Sequence, residues 1–112
     1  MVRRTPLPGR PVRGSRSGRP VMALLDLLGR RWALRVIWEL RASPAPTFRE
    51  MRDRCGGISS SVLTTRLREL SEAGIVTHDG AGYELTPTGH ELLARLLPLE
   101  EWARKRMRPT RS

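Results

Sequence analysis

The sequence has a single cysteine, Cys55, among its 112 residues. One thiol cannot form an intramolecular disulfide or a thiolate zinc cluster, so neither device stabilises this fold. The only two histidines, His78 and His90, do not have the spacing of metal ligands, and we interpret both as surface residues. Cys55 has no resolving partner, and we interpret it as a small packing residue. No metal or cofactor is expected.

Long apolar runs are also absent from the sequence. No run approaches the roughly 20 residues that a membrane-spanning helix needs, and the N-terminus lacks the apolar segment of a signal peptide. A cytoplasmic location without a membrane partner is therefore expected. No acid/base pair, nucleophile or metal set is visible, which makes an enzyme the least favoured class of function.

Acidic residues are missing from both ends of the chain. Residues 1–19 contain six arginines and no acid, and residues 104–112 contain five basic residues and no acid. Residues 20–103 have ten arginines against eleven acids, so the net charge of +10 lies in the ends. This pattern indicates a folded module with basic ends, for which a polyanion is a natural partner. From charge alone, tails that only keep the domain in solution are an equal alternative.

Composition divides the chain into three parts. Residues 1–19 are rich in proline, glycine, arginine and serine and have few apolar residues, which predicts a disordered N-terminal arm. Residues 20–107 suit one small domain with a modest core. Residues 108–112 form a basic tail.

Apolar periodicity and capping residues predict three helices in the first half of the domain. The first helix begins near Pro20, and the second runs from about Arg30 to Arg41. The third helix covers Phe48 to Arg54, behind a capping box made by Thr47 and Glu50.

The second half is predicted to contain a turn, a helix and a hairpin. The Gly56-Gly57 turn leads into a fourth helix from Ser60 to Ala73, with Ser59 as its N-cap. Two short strands, Ile75 to His78 and Tyr83 to Thr86, follow and enclose a very short tip.

A last helix completes the predicted fold. It covers about residues 87–107, with Thr86 as its cap and Pro87 at its first position. The fold class is mainly α with a small β-hairpin: a winged helix-turn-helix with additional N- and C-terminal helices.

The fourth helix carries the strongest functional pattern. Leu63, Leu67 and Leu70 share one face, and the opposite face of its N-terminal half is small and hydroxylated. Short polar side chains can approach base edges in the major groove, and a helix N-terminus attracts phosphate. The residues predicted to contact DNA in this way are Ser60, Ser61, Thr64, Thr65 and Arg68. Exposed side chains without a ligand are the alternative for each.

Other basic residues flank this helix. Arg49 and Arg52, on the preceding helix, are candidates for phosphate contacts, with a solvated charged face as the equal alternative. His78 is the basic residue nearest the hairpin tip and is a candidate DNA contact. Because the tip carries Asp79, a purely structural hairpin is an equal alternative.

The two terminal helices are more apolar than one small core can cover. This excess indicates a two-fold dimer, which would also present two recognition helices to two half-sites. The residues predicted to form the dimer contact are Val21, Leu24, Leu25, Leu28, Leu93, Leu96, Leu97 and Trp102.

Several segments, taken in order, resemble the HxlR-type winged helix-turn-helix transcriptional regulators over about Pro20 to Trp102. They are Leu28-Gly29-Arg30-Arg31-Trp32 with Val36-Ile37-Trp38-Glu39-Leu40, Thr47-Phe48-Arg49-Glu50-Met51, Gly57-Ile58-Ser59 with Leu63 to Leu70, and Tyr83-Glu84-Leu85-Thr86-Pro87-Thr88-Gly89. The C-terminal half alone is also similar to the MarR and PadR types. The resemblance implies a homodimeric regulator, joined through its terminal helices, with the fourth helix in the major groove.

Two departures from the family pattern limit what the resemblance implies. Many members have a cysteine before the Pro-Val at the start of the first helix, and some use it to sense oxidants or electrophiles. Arg19 stands there in this chain, so that switch is absent. The wing is also shorter than usual.

The sequence therefore predicts a homodimeric, sequence-specific regulator of transcription that binds double-stranded DNA, and the resemblance implies a prokaryotic one. The alternative is a protein–protein adaptor that uses the winged helix as a scaffold and has lost specific DNA reading. The effector, the operator and the sign of regulation do not follow from the sequence.

Overall fold

The computed structural model describes residues 4–42 and 44–107. The elements in chain order are α1 (Pro20–Leu28), α2 (Ala33–Glu39), α3 (Phe48–Cys55), α4 (Ser60–Glu72), β1 (Val76–Asp79), β2 (Gly82–Leu85) and α5 (Pro87–Arg106). The predicted order of helices and hairpin is confirmed. The fold is a winged helix-turn-helix with an additional helix at each end. None of these helices is both long enough and apolar enough to cross a membrane.

The core lies around α2, which packs on α1, α3, α4 and α5. Val36 and Ile37 of α2 are fully buried, as are Met51 of α3 and the predicted leucine face of α4. Each fully buried side chain of this size stabilises the fold by about 1.5–3 kcal/mol relative to leaving it in water. The other four helices are thus held together by their contacts with α2.

The second helix begins later than the sequence predicted. Trp32 has a φ of 76°, in the left-handed region, so α2 starts at Ala33 and not at Arg30. The helix ends at Glu39, before the predicted Arg41. A residue with left-handed backbone cannot continue a right-handed helix. Residues 29–32 consequently form the turn between α1 and α2.

Hydroxyl caps start the next helices as predicted. Thr47 and Glu50 form the complete capping box of α3, and the Thr47 backbone N–H donates to the Glu50 carboxylate at 2.8 Å. This bond lowers the pKa of Glu50 below its ordinary value, and the hydrogen bond to the Thr47 side chain has the next largest effect in the same direction. Ser59 accepts from the Val62 N–H at 3.2 Å, and Thr86 accepts from the Gly89 N–H at 3.0 Å.

The turn between α3 and α4 depends on two glycines. Gly56 and Gly57 have φ values of 53° and 84°, which side-chain-bearing residues rarely adopt. This conformation lets α4 begin directly after α3 and places its N-terminus at the surface.

The hairpin is short and is attached to the loop before α3. Its register pairs Val76 with Leu85 and His78 with Tyr83. The Tyr83 N–H donates to the Pro46 carbonyl at 2.8 Å, and Gly82 is buried where a Cβ atom would collide with that same carbonyl group. The wing is therefore fixed at its second strand.

The N-terminal arm differs from its predicted disorder over residues 4–19. Backbone bonds between Gly9 and Gly18 and between Val12 and Ser15 close a loop, and Thr5 is buried. Composition predicted disorder because the segment has few apolar residues, but its backbone groups pair with one another, and the Arg13 N–H donates to Asp26 of α1 at 3.1 Å. Residues 1–3 and the predicted basic tail, 108–112, lie outside the described residues.

Candidate nucleic-acid interface

The two faces of α4 are separated as the sequence predicted. Leu63, Leu67 and Leu70 are buried in the core. The predicted groove residues Ser60, Ser61, Thr64 and Arg68 are all exposed. The structure thus brings four of the five predicted groove residues together on one open surface, which we call the α4 face.

Thr65 lies at the edge of the α4 face and is half-buried. Its hydroxyl donates to the Ser61 carbonyl at 2.9 Å, four residues earlier in the helix. The Thr65 hydroxyl proton is already in a hydrogen bond, so this group can act only as an acceptor toward a further partner. Thr65 also lines a cavity on the side of α4 away from Ser60.

Arg68 is the most C-terminal member of the α4 face. Its guanidinium donates to the Glu72 carboxylate at 2.9 Å, and both side chains are largely exposed to solvent. Exposed pairs of this kind contribute little to stability, so the guanidinium can exchange its partner for a base or a phosphate at small cost.

The arginines of α3 divide into two kinds. Arg49 and Arg52, the two predicted phosphate contacts, are exposed, and neither makes a salt bridge within residues 4–42 and 44–107. Arg54 instead donates to the Glu39 carbonyl at 3.1 Å and holds α3 against α2. Arg52 also lines the surface depression beside Gly56 and Gly57.

The wing offers few donors. The His78 ring stacks on the Tyr83 ring across the hairpin, with centroids 4.2 Å apart and planes 9° apart. Stacking covers one face of the imidazole and leaves its edge exposed. Asp79 ends β1 directly after it, so the wing tip combines one imidazole with one carboxylate.

A buried ionic cluster behind the α4 face was not predicted from the sequence. The Glu69 carboxylate, 1% exposed, pairs with Arg30 from the α1–α2 turn and with Arg66 from α4, the latter at 2.9 Å. Arg66 also donates to the Arg31 carbonyl at 2.6 Å, and Arg30 donates to the Arg4 carbonyl at 2.7 Å. The cluster therefore ties α4 to the α1–α2 turn and to the N-terminal loop.

Cys55, at the end of α3, is buried in the core, in agreement with its predicted packing role. Burial raises the pKa of the Cys55 thiol above its ordinary value, and the nearby Arg35 opposes this shift. A buried thiol that stays protonated is a poor nucleophile.

The predicted dimer residues fall into three groups. Val21 and Leu25 of α1 are 54% and 55% exposed, and Leu97 and Trp102 of α5 are 46% and 55% exposed. The partly buried members are Leu24 and Leu96. The placement of Leu28 and Leu93 at a dimer surface is wrong, because both are buried in the core of the single chain.

These features define a winged helix-turn-helix protein whose helix after the turn presents a small polar face to solvent. The family model of the HxlR-like helix-turn-helix matches residues 27–111, well over half of the chain. The chain belongs to this family of transcriptional regulators.

Relatives with solved structures have the same fold. The quinone-bound YodB from B. subtilis is 32% identical, with a TM-score of 0.71, over 76% of this chain and 96% of that one. The reduced form of the transcriptional regulator YodB gives 30% identity and a TM-score of 0.72 over 82% and 97% of the two chains. A possible HxlR family transcriptional factor from Thermoplasma volcanium GSS1 is 30% identical, with a TM-score of 0.67, over 74% of this chain and 80% of that one.

Two curated relatives have uncharacterized functions. The HTH-type transcriptional regulator YybR of Bacillus subtilis is 30% identical over 95 residues, 79% of this chain and 75% of that protein. The HTH-type transcriptional regulator sll1512 of Synechocystis is 30% identical over 89 residues, 73% of this chain. The match spans 65% of the length of the Synechocystis protein.

Proposed function

We propose that this protein regulates transcription by binding double-stranded DNA sequence-specifically as a homodimer, with α4 in the major groove. The observation that carries the proposal is the division of α4 into a buried leucine face and an exposed face of small hydroxyl side chains followed by Arg68. A helix held by its other face can enter a groove without any loss of core packing.

The surrounding charges support this orientation on DNA. Arg49 and Arg52 are exposed on α3, directly before the turn, where a positioning helix crosses the phosphate backbone. Exposed arginines of the N-terminal loop add positive charge outside the nearly neutral domain. Phosphate contacts of this kind position the protein, while the α4 face reads the bases.

The exposed apolar residues of α1 and α5 support the homodimer. Val21, Leu25, Leu97 and Trp102 place more apolar surface in water than a small monomer needs to expose. A two-fold dimer would cover it and present two α4 helices to half-sites about 34–36 Å apart. The relatives are named as transcriptional regulators, which supports a DNA-binding protein over an enzyme. We propose that the protein acts in the cytoplasm, where the DNA is.

Arg68→Ala tests base reading. Once an operator has been selected from random duplexes, Arg68→Ala should lower its affinity by about 1–3 kcal/mol, because one base contact is lost. The affinity for random duplex should change much less. Both are measured by fluorescence anisotropy at a fixed salt concentration.

Arg95→Ala is the matched control. Arg95 makes the same kind of i,i+4 pair, with Glu91 at 3.1 Å, on α5. Its replacement should leave the ratio of operator to random affinity unchanged. Equal losses on both duplexes after Arg68→Ala would make Arg68 a phosphate contact. Binding to no duplex at all would favour the protein–protein adaptor.

A further inference from the structure

We infer that a cavity between α4, the α1–α2 turn and the N-terminal loop is a binding site for a small oxyanion, carried by a carboxylate or a phosphate group. The cavity has a volume of about 330 Å³ and is lined by four arginines and two acids. These are Arg13, Arg30, Arg31, Arg66, Asp26 and Glu69. We call it the arginine cavity.

The charges in the arginine cavity do not balance. Glu69 is the carboxylate partner of both Arg30 and Arg66. Asp26 accepts a hydrogen bond at 3.1 Å from the backbone N–H of Arg13, and not from its guanidinium. Within the described part of the chain, neither Arg13 nor Arg31 makes a salt bridge. The Arg31 guanidinium lies over the Trp32 ring, 5.8 Å from the ring centroid, and has no carboxylate partner there. The lining thus carries two more positive than negative charges.

Arg30 supplies an independent observation. Its side chain is only 8% exposed, and its Nε, which is buried, has no hydrogen-bond partner among the described residues. A buried donor without an acceptor is unusual in a folded protein, and a bound anion is one of the partners that can satisfy it. An oxyanion at this place would receive charge-assisted hydrogen bonds from arginine, for which the planar guanidinium is suited.

The geometry favours a small molecule over a DNA phosphate. A duplex would approach the α4 face, whereas the Arg30 side chain is only 8% exposed and lines the cavity together with the half-buried Thr65. A rod-like duplex cannot make close contact with a guanidinium that is so little exposed. The volume of the arginine cavity lies at the lower end of the range of about 300–1,000 Å³ found for ligand pockets.

A bound anion would act on α4 directly. Thr65 and Arg66, which line the arginine cavity, belong to α4, and Arg66 donates to the Arg31 carbonyl at 2.6 Å. A ligand that moves Arg31 or competes with Glu69 therefore shifts the helix that carries the α4 face. This coupling to DNA rests on the proposed function, but binding of the anion does not.

The test is a titration of the ¹⁵N-labelled protein with inorganic phosphate and, separately, with benzoate, at constant ionic strength. We expect saturable shifts of the amides of Gly29, Arg31 and Thr65 with at least one of the two. The double variant R13Q/R31Q should bind at least tenfold more weakly. R95Q/R104Q is the control, because it removes the same charge from exposed positions on α5. Thermal melting checks that both variants fold.

Two outcomes of the titration would overturn the site. Shifts that do not saturate, or that weaken equally in the control variant, would show an adventitious ion only. A loss of affinity for random duplex that is larger in R13Q/R31Q than in the control, without saturable anion binding, would assign these arginines to the DNA interface instead.

Operator binding in the presence of the same anions tests the coupling separately. An anion-dependent change in operator affinity that R13Q/R31Q abolishes would support it. Saturable anion binding without any effect on DNA would keep the site and reject the coupling. If the parent protein binds no DNA, the proposed function fails. The titration still decides whether the arginine cavity is an anion site.

Discussion

At the scale of single residues, Glu69 links α4 to the α1–α2 turn. Its buried carboxylate joins Arg30 of that turn to Arg66 of α4. Burying a charge is unfavourable unless partners surround it, so the carboxylate depends on both arginines. The leucines pack α4 into the core, and the ionic cluster ties it to the turn. The α4 face depends on both.

Replacing Glu69 tests this dependence. Glu69→Ala leaves two arginines without their common partner, one of them almost fully buried, and should lower the free energy of unfolding by about 3–5 kcal/mol. Urea denaturation followed by circular dichroism measures it. Glu91→Ala, on α5, breaks the exposed pair with Arg95 and should change stability little. An equally small effect of both substitutions would contradict the role of Glu69.

At the scale of elements, local chemistry made the starts of α3, α4 and α5 predictable. A hydroxyl cap acts within three residues of itself, so Thr47, Ser59 and Thr86 could be recognised from the sequence alone. The start of α2 could not, because the left-handed conformation of Trp32 has no local signal in its residue type.

The unpredicted parts of the site depend on contacts between distant residues. Arg30 and Glu69 lie 39 positions apart, and no pattern within one helix reveals that they meet. The order of residues 4–19 likewise depends on hydrogen bonds to Asp26 and Arg30, which composition does not describe. Periodicity predicted which face of α4 is open, but not which cavity lies beside it.

Substitutions of Ser59 separate the stability of α4 from its proposed contact with DNA. Ser59→Ala removes the cap and should lower the free energy of unfolding by about 0.5–2 kcal/mol. Ser59→Asp keeps a capping oxygen and places a negative charge at the positive end of the helix, so stability should return to that of the parent protein. Urea denaturation measures both changes.

The two variants should differ in DNA binding as well. The carboxylate of Ser59→Asp would face phosphate, so this stable variant should bind duplex more weakly than the less stable Ser59→Ala. The reverse order, measured by fluorescence anisotropy at low salt, would mean that the N-terminus of α4 does not approach DNA.

At the scale of the whole molecule, the exposed apolar residues of the terminal helices predict a dimer that a single charge can disrupt. Leu97→Glu places a carboxylate in the proposed contact and should produce a monomer in sedimentation equilibrium at micromolar concentration. Ser71→Glu adds the same charge at an exposed position of α4, outside the terminal helices, and should remain dimeric. A parent protein that is monomeric at all concentrations would remove the dimer from the proposed function.

The uneven charge of the chain predicts how its DNA affinity depends on salt. Deletion of residues 1–19 is a poor test, because Thr5 and Pro6 are buried and their loss would also disturb the packing around α1. Arg16 and Arg19 are exposed, and within the described residues their guanidinium groups make no salt bridge. Substituting glutamine for both therefore removes charge while the fold is kept.

If both arginines contact phosphate, R16Q/R19Q should flatten the slope of log K against log salt concentration by up to about 1.8, because each phosphate contact contributes about 0.9. The slope is measured on random duplex between 50 and 200 mM salt, roughly the range over which such contacts change affinity most. R95Q/R104Q removes equal charge from α5 and should leave the slope unchanged. If R16Q/R19Q also leaves it unchanged, these two arginines do not contact DNA, and the salt dependence comes from other basic residues of the chain.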